Sequence, residues 1–224
     1  MGNIKETITK LVFEIKPLFQ LANWILESRS KTPGGTVVKN NGHARLIKDF
    51  SGTGNMVTIE KGCTLLDTKI RIRGNNNSIS FGEGCIVGEG CSFWMEGNNI
   101  RIEIGKDATF TGTVHVCAQE DGSRVVIGED CMFSYNITVR TSDSHPVYDV
   151  ETGLRVNPAK DVVIGKHVWI APDSKIMKGV TIGDESIIGS DTIVTKDIPA
   201  KVLAVGHPAK VVRENVRWTR ESLY

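Results

Sequence analysis

Aliphatic residues return at every sixth position in the C-terminal half of the chain, between residues 164 and 194. A period of six fits neither an α-helix, which repeats every 3.6 residues, nor a single strand, which alternates every two. Each six-residue unit is therefore predicted to be one short strand followed by a turn. The aliphatic positions are Ile164, Ile170, Ile176, Ile182, Ile188 and Val194.

The same pattern recurs upstream in longer units, each of which runs from a bulky apolar residue through a turn to a small residue. Three six-residue units make one coil, so starts separated by 22, 23, 23, 37 and 18 residues indicate small excursions and one long insertion between Val139 and Val162. Parallel strands stacked about 4.8 Å apart would pair their backbone groups between coils. The units are Ile59–Cys63, Phe81–Cys85, Ile104–Ala108, Ile127–Cys131, Ile164–Val168 and Ile182–Ser186.

Composition agrees with an all-β solenoid. The 224 residues include 23 Gly and only 6% aromatic residues, as expected for many tight turns. A formal net charge of +1 gives no bulk field for nucleic acid or an anionic membrane, so no nucleic-acid partner is expected and any anionic ligand must be met by a local patch. The most apolar stretch, Leu11–Leu26, is broken by charged residues and by Pro17, so no transmembrane segment is expected.

The five cysteines form no CxxC pair, and the chain does not open on a signal-peptide pattern. We therefore expect reduced thiols and a cytoplasmic location. Cys63, Cys85 and Cys131 occupy the same small position of their units, which predicts that they stack in the interior as packing residues.

The pattern divides the chain into three parts. Residues 1–54 contain an amphipathic helical segment at residues 3–28, expected to cap the first coil, and the entry to the solenoid. Contact of that helix with a membrane surface is an open alternative. Residues 55–200 form the repeat region with the inserted loop 140–161, and residues 201–224 form a short C-terminal extension with a basic cluster.

An ordered set of motifs carries a resemblance to a known family. The set resembles the sugar and polysaccharide O-acetyltransferases of the hexapeptide-repeat family. The resemblance implies a left-handed parallel β-helix of triangular section, an acetyl-CoA donor, no metal, a sugar or glycan acceptor and a homotrimer. The motifs are Ser-His-Pro-Val at 144–147, Val-Trp-Ile-Ala at 168–171, Gly-Val-Thr-Ile-Gly at 179–183, Ile-Gly-Ser at 188–190, Val-Thr-Lys-Asp-Ile-Pro at 194–199 and Ala-Val-Gly-His-Pro-Ala-Lys at 204–210.

In that family the loop histidine is the catalytic base, and the matching residue is His145. An imidazole titrates near neutral pH, so it can take the hydroxyl proton and return it to the departing thiolate. Asp143 or Asp149 is a candidate to orient the ring, although a backbone carbonyl would serve equally well. Trp169 is expected to stack on a sugar or wall the acceptor site, with ordinary packing as the alternative. Small-sugar enzymes of the family often place an Asn one coil earlier, and the corresponding stretch here, residues 113–116, contains none, so the acceptor is expected to be bound differently.

The resemblance also places acetyl-CoA in a groove between neighbouring subunits, beside the late coils. Small residues there let the thin pantetheine arm approach the backbone, and cationic side chains can meet the phosphates. A solvated surface role is the alternative for each lysine. The matching positions are Ala171, Ser190, Thr195, Lys196, Lys210 and Arg213.

Two other functions stay open at this point. An N-acetyltransferase of an amino sugar or an antibiotic would use the same base and donor groove. A non-catalytic or zinc-binding β-helix module would have kept only the fold, and stacked coils can bring distant histidines together. The histidines outside the loop show no mutual ligand spacing; they are His43, His115, His167 and His207.

Overall fold

The computed structural model describes residues 35–223, and the helix predicted at residues 3–28 lies outside them. Within the described residues there are twenty-one strands and no helix. Except for the last strand, each strand pairs in parallel with strands one coil before or after it in the chain. The predicted all-β, left-handed parallel β-helix is confirmed.

The coil has three faces, and most strands belong to one of them. The first face consists of β1 (Val37–Asn40), β3 (Met56–Ile59), β5 (Ser78–Phe81), β8 (Arg101–Ile104), β11 (Arg124–Ile127), β14 (Val162–Ile164) and β17 (Thr181–Ile182). The second face contains β6 (Ile86–Val87), β9 (Thr109–Gly112), β12 (Met132–Tyr135), β15 (Trp169–Ile170), β18 (Ile187–Ile188) and β20 (Val202–Val205). The third face contains β7 (Ser92–Glu96), β10 (His115–Gln119), β13 (Thr138–Arg140), β16 (Lys175–Ile176) and β19 (Ile193–Val194).

Three further strands connect or close these faces. The long strands β2 (His43–Ser51) and β4 (Thr64–Arg73) pair with each other and turn the corner between the second and third faces. The last strand, β21 (Lys210–Glu214), runs antiparallel to β20 at the end of the second face. The first coil thus begins at Val37, within the segment assigned to the solenoid entry, and the chain folds back after residue 205.

The register shows where the longer coils place their extra residues. Trp169 pairs with Ile187, 18 residues on, whereas Thr109 pairs with Met132, 23 residues on. From β5 onward, the step from the first face to the second and the step from the second to the third keep the same length from coil to coil, whereas in the coils that contain β2 and β4 these steps are up to two residues shorter. The extra residues therefore all lie where the chain turns from the third face back to the first. We call this turn the loop corner, because the insertion between β13 and β14 leaves and returns there.

The interior is filled by residues that stack at equivalent positions of successive coils. Four phenylalanines form a ladder with ring centroids 4.6 to 5.8 Å apart. Cys63, Cys85 and Cys131 are fully buried free thiols, and each Sγ donates to a glycine carbonyl of the next coil at 3.0–3.1 Å. The prediction that these cysteines pack in the core is confirmed. The phenylalanines are Phe81, Phe93, Phe110 and Phe133.

Glycine is required where adjacent coils approach closely at the loop corner. Gly74 has φ +115°, and a Cβ built on it would lie 1.9 Å from the carbonyl oxygen of Gly97 in the next coil. Gly62 also has positive φ, but the nearest atom to its Cβ would lie 3.5 Å away. A side chain at Gly62 would therefore incur only the conformational cost of positive φ. A side chain at Gly74 would incur that cost and also a steric clash between stacked coils.

We predict that Gly74→Ala destabilises the protein much more than Gly62→Ala. Gly62→Ala should lower the unfolding free energy by about 1 kcal/mol, the cost of placing an L-residue in the left-handed region. Gly74→Ala should cost about 3 kcal/mol or more, because it also forces two backbones apart. Thermal or urea unfolding followed by circular dichroism measures both. Equal losses would contradict the stacking described for this corner.

Candidate active site

The inserted loop, residues 141–161, is attached to the preceding coil by a two-pronged ion pair. Arg155 donates from Nη1 and Nη2 to the carboxylate of Glu120 at 2.7 and 2.8 Å. Ser142 Oγ, at the start of the loop, donates to the same carboxylate at 2.6 Å. These hydrogen bonds, the Arg155 one foremost, lower the pKa of Glu120 to about 2. The carboxylate is therefore charged throughout the neutral range and holds both ends of the loop.

Asn157 is the central residue inside the loop. Its side chain is 8% exposed, and its Oδ1 accepts a hydrogen bond from the Val147 amide at 2.6 Å. Its Nδ2 donates to Asp143 Oδ2 and to the main-chain carbonyl of His145, each at 2.9 Å. One amide group thus fixes the backbone on both sides of Pro146. Asn157, Glu120 and Arg155 were not predicted as site residues, because nothing in the local sequence shows which loop residues meet.

His145 is exposed, and its main chain rather than its ring is held in place. Within residues 35–223 the imidazole makes no hydrogen bond. Asp143 accepts from Lys178 Nζ at 2.5 Å and from Asn157, and these contacts, Lys178 first, lower its pKa. Asp149 caps its own turn through the amides of Glu151 and Thr152. Neither aspartate touches the ring, so Asp143 acts on His145 only through Asn157.

Trp169 lies on the second face, where its half-buried ring contacts the C-terminal extension. Its Nε1 is 3.5 Å from Ser134 Oγ, and its ring centroid is 6.1 Å from that of Trp218. Trp218 is 7% exposed, stacks on His167 at 4.0 Å and donates from Nε1 to the His167 carbonyl at 2.8 Å. Trp218 was not predicted as a site residue, because its neighbours in the chain are mostly polar and carry no motif.

The predicted site residues fall into two groups on different sides of the coil. His145 lies at the loop corner, between the third and first faces, and Trp169 lies on the second face. In a three-sided coil that corner is opposite the second face. Within one chain the structure therefore does not bring the predicted base and the predicted tryptophan together.

The predicted donor-binding residues divide in the same way. Thr195 and Lys196 follow β19 at the loop corner, one coil beyond Lys178, which contacts the inserted loop. Ala171 is buried directly after β15, and Ser190 is exposed one coil further on. These two positions adjoin the second face. The two basic residues on β21 are exposed at the end of that face; they are Lys210 and Arg213.

Two further observations on the described residues concern metal binding and membrane spanning. Between residues 35 and 223, no group of three or more His, Cys, Asp or Glu side chains is placed to hold a metal ion. Over the same residues, no helix has the length and apolar character needed to cross a membrane.

Comparisons with known proteins bear on this geometry. Residues 161–196 match the family model "Bacterial transferase hexapeptide (six repeats)". A polysialic acid O-acetyltransferase of Neisseria meningitidis is 33% identical over 191 residues, which cover 76% of this chain and 88% of that protein. A polysialic acid O-acetyltransferase of Escherichia coli O1:K1 is 36% identical over 120 residues, covering 54% of this chain and 38% of the length of that relative.

A solved structure is similar over most of the chain. The crystal structure of the polySia-specific acetyltransferase NeuO superimposes with a TM-score of 0.75 at 30% identity, covering 86% of this chain and 82% of that one. The chain belongs to the hexapeptide-repeat acetyltransferases. At the level of this family, the prediction of an acyltransferase is confirmed.

We predict that Glu120→Gln loosens the inserted loop without unfolding the coil. Amide hydrogen exchange at Val147 and Val156 should become about tenfold faster, since a charge-assisted two-pronged contact is lost. Glu103→Gln, a change at an exposed position of β8, is the control and should leave exchange unchanged.

The same carboxylate gives this prediction a pH dependence. Folding lowers the pKa of Glu120 from its ordinary value of 4.5 to about 2. Its contribution to loop docking is thus complete above about pH 4.5 and is lost as the pH falls towards 2. Glu120→Gln should remove that part of the pH dependence. Slow exchange that is identical in both proteins at neutral pH would contradict the role of Glu120.

Proposed function

We propose that this chain transfers the acetyl group of acetyl-CoA to a hydroxyl of a sugar unit in a capsule-type glycan, with His145 as general base. The observation that carries the proposal is the exposed imidazole of His145, held by its main chain on a loop docked to a rigid coil. Relatives that align over much of the chain are polysialic acid O-acetyltransferases, which supports a glycan hydroxyl as the acceptor.

The reaction needs one proton to move while one bond forms and one breaks. His145 removes the proton of the sugar hydroxyl as its oxygen bonds to the thioester carbonyl carbon. The carbon–sulfur bond then breaks, and the imidazolium returns the proton to the departing thiolate. The imidazole ends neutral, so His145 is ready for another cycle. No covalent intermediate with the protein is required, because the thioester is already activated.

Anchoring by Asn157 suits this role. The side-chain amide of Asn157 donates to the carbonyl of His145 and to Asp143, and Lys178 in turn donates to Asp143 and to the main-chain carbonyl of Asn157. The loop backbone is therefore set while the ring stays free to meet a hydroxyl. In this proposal Asp143 is a positioning residue, and the imidazole takes its final orientation from the bound acceptor and donor.

We further propose that the functional unit is a homotrimer in which each site is shared by two copies. His145, Thr195 and Lys196 lie at the loop corner, whereas Trp169 and β21 lie on the opposite side of the coil. A cyclic assembly that sets the loop corner of one copy against the second face of the next would join the two groups. Such a ring would contain three identical sites.

The exposed cationic residues fit a donor that carries phosphates. Lys196, Lys210 and Arg213 are exposed and take part in no ion pair within residues 35–223. Their charges are thus available to phosphate oxygens. The five free thiols of the chain support a reducing compartment, and we propose the cytoplasm as its location.

We predict that His145→Ala lowers kcat by about 100-fold or more, because a general base is lost. The measurement is thiol release from acetyl-CoA with a polysialic acid acceptor. The variant should melt at the wild-type temperature, since the ring makes no hydrogen bond in the described part of the chain. His43→Ala removes another exposed histidine, at the start of β2, and should keep at least half of the activity. Turnover by His145→Ala equal to that of the wild type would refute the assignment of the base.

A further inference from the structure

A cavity of about 580 Å³ opens on the third face, several residues away from the inserted loop. This volume lies in the range of sites for small organic ligands. Outward-facing side chains of three neighbouring strands, β4, β7 and β10, form most of its wall. The residues that matter here are Lys69, Arg71, Ser92, Trp94, His115 and Cys117.

The cavity carries a net positive charge. Lys69 and Arg71 contribute two cations, and Asp67 is the acidic side chain in its wall. Asp67 is already paired with Arg45 at 2.9 Å. Asp49, outside the wall, lies 3.6 Å from Arg71 Nε but is bound more closely by Arg73. The cavity therefore favours a ligand that bears negative charge.

Two of its donors are buried without a hydrogen-bond acceptor. The guanidinium of Arg71 lies 4.5 Å from the centre of the Trp94 ring. Arg71 Nε and Trp94 Nε1 are both buried, and neither donates a hydrogen bond within the described chain. Buried donors are rarely left unpaired in folded proteins, since each costs free energy. The Arg71 side chain as a whole is 34% exposed, and its Nη atoms make no hydrogen bond within residues 35–223, so they can meet a ligand. A guanidinium is suited to bind a carboxylate with two parallel hydrogen bonds.

One strand, β10, runs from the cavity to the loop that carries His145. His115 and Cys117 line the cavity, and Gln119 at the end of the same strand accepts from Ser144 Oγ at 2.8 Å. Ser144 directly precedes His145. Four residues of strand span about 13 Å, so a sugar in the cavity is not the sugar that meets the imidazole. It would be another unit of the same chain.

We propose that this cavity binds a carboxylate-bearing sugar unit of the acceptor, near the unit that is acetylated. The proposal rests on the proposed function and adds to it that the acceptor is an acidic oligomer or polymer. Arg71 recognises the carboxylate, and Trp94 holds the guanidinium in place. The Ser92 Oγ to His115 Nδ1 hydrogen bond, 2.7 Å long, fixes the imidazole in the wall.

Binding without turnover tests this proposal. Calorimetry on the full chain, with no acetyl-CoA present, would compare a sialic acid oligomer with the same oligomer after reduction of its carboxylates to alcohols. The wild type should bind the acidic oligomer at least tenfold more tightly. We call the affinity for the acidic oligomer divided by that for the reduced oligomer the binding ratio. Arg71→Gln should lower this ratio to about one. Arg71→Lys should keep part of it, because the charge remains but the planar guanidinium is lost. Arg101→Gln removes a charge at an exposed position of β8 on the first face, and should keep the full ratio.

The outcomes separate this proposal from the assignment of the base. Equal binding of the two oligomers by the wild type, or an unchanged ratio in Arg71→Gln, would overturn the carboxylate site. Loss of the ratio in Arg101→Gln as well would show a bulk charge effect and would also overturn it. His145→Ala should bind with the wild-type ratio. If the wild type shows the ratio but acetylates neither oligomer, the proposed function fails and the binding site stands. Melting temperatures confirm that each variant is folded.

Discussion

Parallel hydrogen bonding between successive coils is the constraint on which the molecule depends. It fixes the spacing of the strands and requires residues at equivalent positions to stack, as the phenylalanine ladder and the buried cysteines do. It also confines added sequence to a corner, since an insertion within a strand would break the pairing on both sides. The inserted loop and every shorter excursion accordingly occur at the loop corner.

The inserted loop and the coil that carries it are stabilised by different interactions. The coil is held by a continuous apolar interior, whereas the loop depends on a few polar contacts centred on Glu120 and Asn157. Those contacts act on the backbone around His145 and leave its ring unbound. A base on such a loop combines a rigid attachment with a side chain that can respond to its substrates. The hydrogen bonds of the loop residues that flank His145 therefore hold the main chain and not the ring.

The six-residue period along the chain was sufficient to predict a solenoid of parallel strands and the position of the loop, whereas the left-handed β-helix was implied by the family resemblance. It was also sufficient to predict the stacked cysteines, since they share one position of the repeat. The contacts of Asn157 could not be predicted, since they depend on how the loop folds back on itself. The same holds for Trp218 on His167, 51 residues apart, and for Arg71 over Trp94, which meet only through the register of two coils.

The central claim is that stacking places His145 opposite the second face, so that the site closes only between copies. Mixing two defective variants in one assembly, by co-expressing His145→Ala and Trp169→Ala, tests this most directly. A trimer of both variants in a cyclic arrangement has one unaltered site, so random mixing should restore about a quarter of wild-type activity. Activity no higher than that of the separate variants would contradict a site shared by two copies.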